Sequence, residues 1–258
     1  ILFKQQILLK SIMILIKLGG SIITNKKKPL TPRRPTINKI AAKLKSIKES
    51  FVVVHGGGSF GHFWAVKYDM HTKPARYETK GVATVKNSMV QLNNIILDSF
   101  LNQKLYPYCL PPTDFMIGNK PNIKKIKEIK KIAKSGLIPV TFGDALWYGM
   151  NKSYILSGDK IMSILAKVIR PRLSIFVLDV DGLYSDMKTR KLIHNLKTKK
   201  ISISNIEMDV TGGMNRKVSE ATAISRMGMN VFFVNGNNPE RIVNAIKKNE
   251  FEGTLFRG

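Results

Sequence analysis

Short apolar runs alternate along this chain with segments whose apolar residues recur every three or four positions. The runs Met13–Leu18, Phe51–His55, Leu137–Phe142, Ser174–Asp179 and Asn230–Val234 predict β-strands, each closing at or just before Gly, His, Asp or Asn. Their apolar residues run on without alternating, as in parallel strands covered on both faces. Between them Ile37, Ile40, Ala41, Leu44 and Ile47 have helical spacing. So do Val82, Val85, Met89, Leu92 and Ile96, in a longer helix reaching about Asn102, and Ile123, Ile126, Ile129, Ile132 and Ala133 in a third. Strands and helices taking turns predict βαβ units, hence an α/β fold around a mainly parallel central sheet. No internal repeat or low-complexity linker interrupts the pattern, and Asn25–Pro35, basic and proline-rich, reads as the strongest irregular segment. One domain is expected over 13–258, with two lobes of about 13–145 and 146–258 meeting near Asp144–Asp159. Residues 1–12 are an extension without an assigned role, Met13 being a candidate natural start.

Composition narrows the classes. Over 258 residues, 43% apolar and 23% charged, the chain can bury a core, which excludes disordered and collagen-like proteins. Lys4, Lys10 and Lys17 break the apolar stretch Ile1–Leu18, so it lacks the roughly 20 uninterrupted residues needed to span a bilayer. Cys109 is the only cysteine, which excludes an intramolecular disulfide and fits a reducing cytoplasm. Lys and Arg number 43 against 17 Asp and Glu, a formal charge of +26. That surplus attracts anions, whether nucleic acid, acidic lipid or phosphorylated small molecules, and it also reads as a lysine-rich composition bias. The same two readings apply to Lys124, Lys125, Lys127, Lys130, Lys131 and Lys134 on the third helix. A solvated face is the better account, because no aromatic residues interleave there to stack on bases.

The glycines carry the chemistry. Lys17-Leu18-Gly19-Gly20-Ser21 lies at the C-terminal end of the first strand, where open α/β sheets bind ligands. Two glycines there let backbone N–H groups approach a phosphate, and Lys17 adds a charge; a plain glycine turn is the simpler reading of that motif alone. The stretch Phe51–His62 holds G-x-G-x-x-G in Gly56, Gly58 and Gly61. It follows the second strand, and no clean acidic strand end comes about 20 residues later, so as a dinucleotide fingerprint it is weak. A triple glycine still forms an anion nest, with His62 at the start of the next element to donate to a phosphate or carboxylate. Asp159 of Ser157-Gly158-Asp159 precedes an apolar-periodic segment and also reads as a helix N-cap. Asp179-Val180-Asp181-Gly182 ends another strand as a turn or a nucleotide contact. Thr211-Gly212-Gly213-Met214 places glycines before a helix, with Lys217 a turn in. No GxxxxGK[ST] motif occurs and no HRD or DFG set, which excludes the P-loop and protein-kinase designs.

In order and spacing, Lys17–Ser21, His55–His62, Ser157–Asp159, Asp179–Gly182 and Thr211–Lys217 resemble the amino acid kinase superfamily. Within it they look most like the isopentenyl phosphate kinases found in archaea, from Met13 to Gly253-Thr254. The second histidine of HGGGSFGH and the block DVTGGM-x-x-K discriminate most. The resemblance implies an αβα sandwich, ATP with Mg²⁺ held largely by the nucleotide and no protein metal site, and a homodimer with neither nucleic-acid nor membrane partner. It implies that Lys17 and Lys217 stabilise charge on the transferred phosphoryl group, with Asp159 orienting both, and that Lys26 lies near the phosphates. It implies an acceptor phosphate held by His62, Gly57 and Gly58 and bordered by Gly158, in the first lobe. Gly19, Gly20, Ser21, Gly58, Asp179, Gly182, Gly212 and Gly213 would serve ATP, chiefly in the second. An apolar cavity for the acceptor's tail is expected from residues between Val82 and Phe115. Phe63, Lys160 and Leu178 depart from the usual proline, second acid and threonine at those places. A sibling kinase acting on another small phosphate, phosphonate or carboxylate shares this residue set. A nucleic-acid-binding protein without catalysis would use the charge but leaves Lys17, Asp159 and Lys217 unexplained.

Overall fold

The structure is a computed structural model describing residues 12–186, 188–197, 212–247 and 252–258. The five predicted strands form the centre of its main sheet: β1 (Met13–Leu18), β2 (Ser50–His55), β6 (Ile138–Phe142), β9 (Leu173–Leu178) and β13 (Asn230–Asn235). Three further strands, β3 (Pro107–Cys109), β12 (Asn195–Lys197) and β14 (Thr254–Arg257), complete an eight-stranded sheet of order β12-β14-β13-β9-β1-β2-β6-β3. Short antiparallel pairs, β4 (Met116–Ile117) with β5 (Lys120–Pro121), β7 (Asp144–Gly149) with β8 (Lys152–Leu156) and β10 (Tyr184–Asp186) with β11 (Lys191–Leu192), lie outside it. Every neighbouring pair is parallel except β13 with β14. The C-terminal ends of β1, β2, β6, β9 and β13 therefore meet at one edge, followed in turn by Gly19, Gly56, Gly143, Asp179 and Gly236.

Side chains of β1 alternate between the two faces although all are buried. Ile14, Ile16 and Leu18 join one apolar cluster, and Met13 and Leu15 the other. The first cluster is closed by α2 (Arg34–Leu44), α3 (Gly58–Lys67), α4 (Thr79–Asn102) and α8 (Glu240–Lys247), after the one-turn α1 (Gly20–Ile23). The second is closed by α5 (Ile123–Lys134), α6 (Gly158–Ile169) and α7 (Gly212–Arg226). This is the expected αβα sandwich. Lys17, in step with Met13 and Leu15, points to the side of α6 and α7, and that places the chemistry. On α5, Ile126, Ile129 and Ala133 face the core while five of the six lysines are exposed; Lys130 Nζ donates to the Ile169 carbonyl at 2.9 Å. The solvated-face reading holds. The irregular segment is shorter than expected, because α2 starts at Arg34 with Pro35 in its first turn, where the missing N–H has no helical partner to lose.

Candidate active site

Two glycine turns abut at the sheet's C-terminal edge. Gly56 N–H donates to the Leu18 carbonyl at 2.9 Å, and a Cβ on Gly20 would overlap the Gly58 backbone nitrogen and Cα. Buried Thr24 ties the turns: its hydroxyl donates to Gly20 O at 2.7 Å and accepts from Ser59 N–H at 2.9 Å. Helix α3 begins inside the glycine run, so His62 sits in its second turn rather than at its start. Gly57 is right-handed (φ −76°, ψ −28°) and Gly58 has φ +48°. Successive residues of opposite hand turn their N–H groups into one concavity, the geometry of an anion nest. Gly20→Ala forces a methyl group against backbone that cannot swing aside. The variant is expected to lose about 1–3 kcal/mol of stability, read as a lower melting temperature, with nest function lost as well.

A cavity of about 1160 Å³ opens beside the nest. It brings together Lys17, Gly20, Ser21, Lys26, Gly57, Gly58, His62, Gly158, Asp159, Gly213 and Lys217, drawn from positions 200 residues apart. Lys17 Nζ meets Asp159 Oδ1 at 2.8 Å, both side chains nearly buried, and lies 5.7 Å from the Phe176 ring centre. Ser157, not Asp159, caps α6, accepting from Lys160 N–H. Asp159 is thereby freed to point at lysines. Burial would raise its carboxyl, but Lys17, Lys217 and Arg216 outweigh that and hold it below the usual carboxylate value. Half-buried Lys217 donates to Gly213 O at 3.0 Å, and desolvation lowers its ammonium against the opposing pull of Asp159. The result is a carboxylate pinned between cations that converge on open volume.

Other predicted residues sit around this core. Asp179 lies behind the wall, accepting from Ser21 Oγ at 2.7 Å and pairing with Lys26 Nζ at 3.4 Å. Burial pushes its carboxyl up, and Ser21 and Lys26 bring it net downward. Gly19 donates to Val177 O at 2.9 Å, and Gly182 packs against Thr254, so neither lines the cavity. Asp181 is turned away, accepting from Asn235 Nδ2 at 3.0 Å and paired with Arg241; the second acid serves the turn. Gly212 opens α7, while Thr211 and the residues before it lie outside the described part. Among the described residues, no cluster of three or more His, Cys, Asp or Glu is placed to hold a metal ion. No helix among them is long and apolar enough to cross a membrane.

Sequence reasoning missed two charged contributors. Arg216 lines the cavity beside Lys217. Buried Asp144, also on the wall, receives Lys86 Nζ at 2.6 Å; burial raises its carboxyl and Lys86 only partly counters. A Gly-Asp pair at the end of β6 was the available sign of Asp144, whereas nothing local points to Lys86. The apolar wall comes from Val85 and Met89, inside the span expected for a tail cavity, and from Phe63, Ile155 and Leu156 outside it.

The amino acid kinase family model matches residues 13–235. Isopentenyl phosphate kinase of Thermoplasma acidophilum is 32% identical over 254 residues, 95% of this chain and the whole of that one. The chain belongs to the isopentenyl phosphate kinases of the amino acid kinase family. The enzyme of that name from Methanocaldococcus jannaschii is also 32% identical, over 93% of this chain and 96% of its own. The solved product complex of T. acidophilum isopentenyl phosphate kinase superposes with a TM-score of 0.81 at 28% identity, covering 95% of this chain and all of that one. Lysines around a buried aspartate make this cavity a favourable environment for anionic groups.

Proposed function

We propose that this chain transfers the γ-phosphoryl group of ATP to isopentenyl phosphate, giving isopentenyl diphosphate and ADP. One observation carries the reading: an anion nest and a Lys17–Asp159–Lys217 cluster share a single cavity whose wall continues into apolar side chains. A phosphate at one end, an apolar tail at the other and a second phosphate donor between describe such an acceptor with ATP.

The division of labour implied by the family resemblance is supported by the geometry. Gly57 and Gly58 N–H groups with the His62 ring receive the acceptor phosphate, bordered by Gly158. A phosphate monoester is already ionised near neutral pH, so one of its oxygens attacks the γ-phosphorus without a strong general base. The new P–O bond forms as the bond to the β–γ bridging oxygen breaks, and ADP carries away the electron pair. Charge spread over the passing phosphoryl group is met by Lys17 and Lys217, both oriented by Asp159; positioning and charge neutralisation are what this chemistry asks of a protein. Lys26, held toward Asp179, adds a cation at the ATP side, with Gly20, Ser21 and Gly213 on the same cavity wall. Because the carboxylates in and just behind the cavity wall are engaged by lysines, the residues present suit a Mg²⁺ that would arrive with the nucleotide and supply further positive charge there. A cytoplasmic homodimer, with acceptor and ATP handled mainly by the first and second lobes, completes the proposal.

The test is ADP release with ATP·Mg²⁺ and isopentenyl phosphate, beside dimethylallyl phosphate, uridylate, acetylglutamate and no acceptor. Turnover confined to the prenyl phosphates is expected; turnover on another acceptor alone would replace the substrate and keep the mechanism. His62→Ala is expected to raise the acceptor KM roughly tenfold, the scale of a charge-assisted hydrogen bond, with the ATP KM nearly unchanged. Equal damage to both would make His62 structural.

A further inference from the structure

A polar chain runs behind the nest, buried at His55 and Asn93 and exposed at its Cys109 end, and the proposed mechanism leaves it unused. His55, the last residue of β2, is fully buried and stacks on Phe142 at 5.2 Å between ring centres. Its Nδ1 lies 3.1 Å from Gly56 O, and its Nε2 3.2 Å from the side-chain amide of buried Asn93 on α4. The far end of that amide lies 3.2 Å from the sulfur of Cys109, on the edge strand β3. Burial pushes the His55 ring down to about 4, so it is neutral near pH 7, and pushes the Cys109 thiol up. A neutral imidazole has one N–H. Gly56 O can only accept, so the proton belongs on Nδ1 and Nε2 must be the acceptor. The Asn93 amide nitrogen then faces the ring and its oxygen faces Cys109, whose S–H donates to it. With that orientation of an amide whose two ends are nearly isosteric, every group in the chain has its partner.

The consequence lies in the nest. Across a trans peptide the carbonyl and the following N–H point in opposite directions. A Gly56 carbonyl held back against His55 aims the Gly57 N–H the other way. Gly57 lines the cavity, and its N–H makes no hydrogen bond among the described residues. The geometry points to His55 and Asn93 as positioning residues: a relay from the Cys109 S–H through the Asn93 amide and the His55 ring to the Gly56 carbonyl holds the Gly57 N–H open for the acceptor's phosphate. The step from anion to acceptor rests on the proposed function; the relay does not.

Long-range ¹H–¹⁵N spectra of the ¹⁵N-histidine-labelled full chain test the relay directly, the His55 signal being the one lost in His55→Phe. A neutral ring protonated on Nδ1 is expected. Protonation on Nε2, or a charged ring near pH 7, overturns it. Titration with inorganic phosphate should move the Gly57 amide resonance in the wild type, and a static Gly57 resonance at saturating phosphate overturns the aim of that N–H. In kinetics, His55→Phe keeps a ring on Phe142 but deletes the donor, and Asn93→Leu deletes the relay's middle. Each is expected to raise the acceptor KM roughly 5–20-fold, the scale of losing one or two neutral hydrogen bonds, with kcat and the ATP KM within about twofold. Cys109→Ser keeps a donor in place and should retain the wild-type acceptor KM. A fall in kcat with an unmoved acceptor KM in folded variants overturns the positioning role. If isopentenyl phosphate is not turned over at all, the tautomer and the phosphate response stand by themselves, and only the substrate reading falls.

Discussion

Lys217→Ala is expected to lower kcat by roughly 10²–10³ while leaving the melting temperature almost where it was. The size is that of one preorganised charge-stabilising donor removed from a transition state. The separation from stability follows from the surroundings. Lys217 is half-buried, and its ammonium is held down by desolvation and by repulsion from Lys17 and Lys26, with Asp159 as the main attraction. Deleting it therefore relieves desolvation and repulsion along with the attraction it loses, and Lys17 still pairs with Asp159 at 2.8 Å. Because the lysine meets charge that develops as the phosphoryl group moves, kcat and kcat/KM should fall together. Steady-state kinetics on a folded variant decide it: unchanged kcat removes Lys217 from the chemistry, and a rise in KM alone makes it a ground-state contact for ATP.

The parts of this molecule that could be read in advance are those where one residue type answers to one local demand. Buried parallel strands must be apolar throughout, so β1, β2, β6, β9 and β13 announce themselves, and with them the edge where ligands bind. Glycines at those strand ends marked the nest, and Lys17, Asp159 and Lys217 line one cavity. What stayed hidden depends on partners far away in the chain. Lys86 meets Asp144 across 58 positions, and Asn93 joins His55 to Cys109 only because α4 crosses behind the sheet. The edge strand β3, Pro-Tyr-Cys, is too short and too exposed to read as a buried apolar run. Helix α3 was obscured by its own glycines, which disfavour helix and here serve the nest at its first turn. The N-cap moved from Asp159 to Ser157 for a related reason: either residue caps well, and only the position of Lys17 decides which one is free to leave the helix end.

Lys17→Met should fail in two separable ways. The substitution leaves Asp159 buried without its 2.8 Å partner, and breaking such a pair costs about 3–5 kcal/mol. Lys217 and Arg216 still attract the carboxylate, which places the loss at the lower end, near 3 kcal/mol, or a melting temperature lower by roughly 10 °C. The pH dependence identifies the cause. In the wild type the Asp159 carboxyl lies below its ordinary 3.8, so its contribution to stability is complete above that value and is lost as pH falls through the lower folded-state value. Without Lys17 the carboxyl rises, and this acid-side loss should shrink. Adding Asp159→Asn to Lys17→Met removes the stranded charge and should recover most of the melting temperature, because an uncharged pair has little desolvation left to offset. Turnover should not recover with it, since the cation facing the phosphoryl group and the carboxylate orienting Lys217 are both gone. A double variant that regains stability and also regains activity would mean that Lys17 and Asp159 only hold β1 against α6. One that regains stability alone leaves Lys17 as a group the reaction needs.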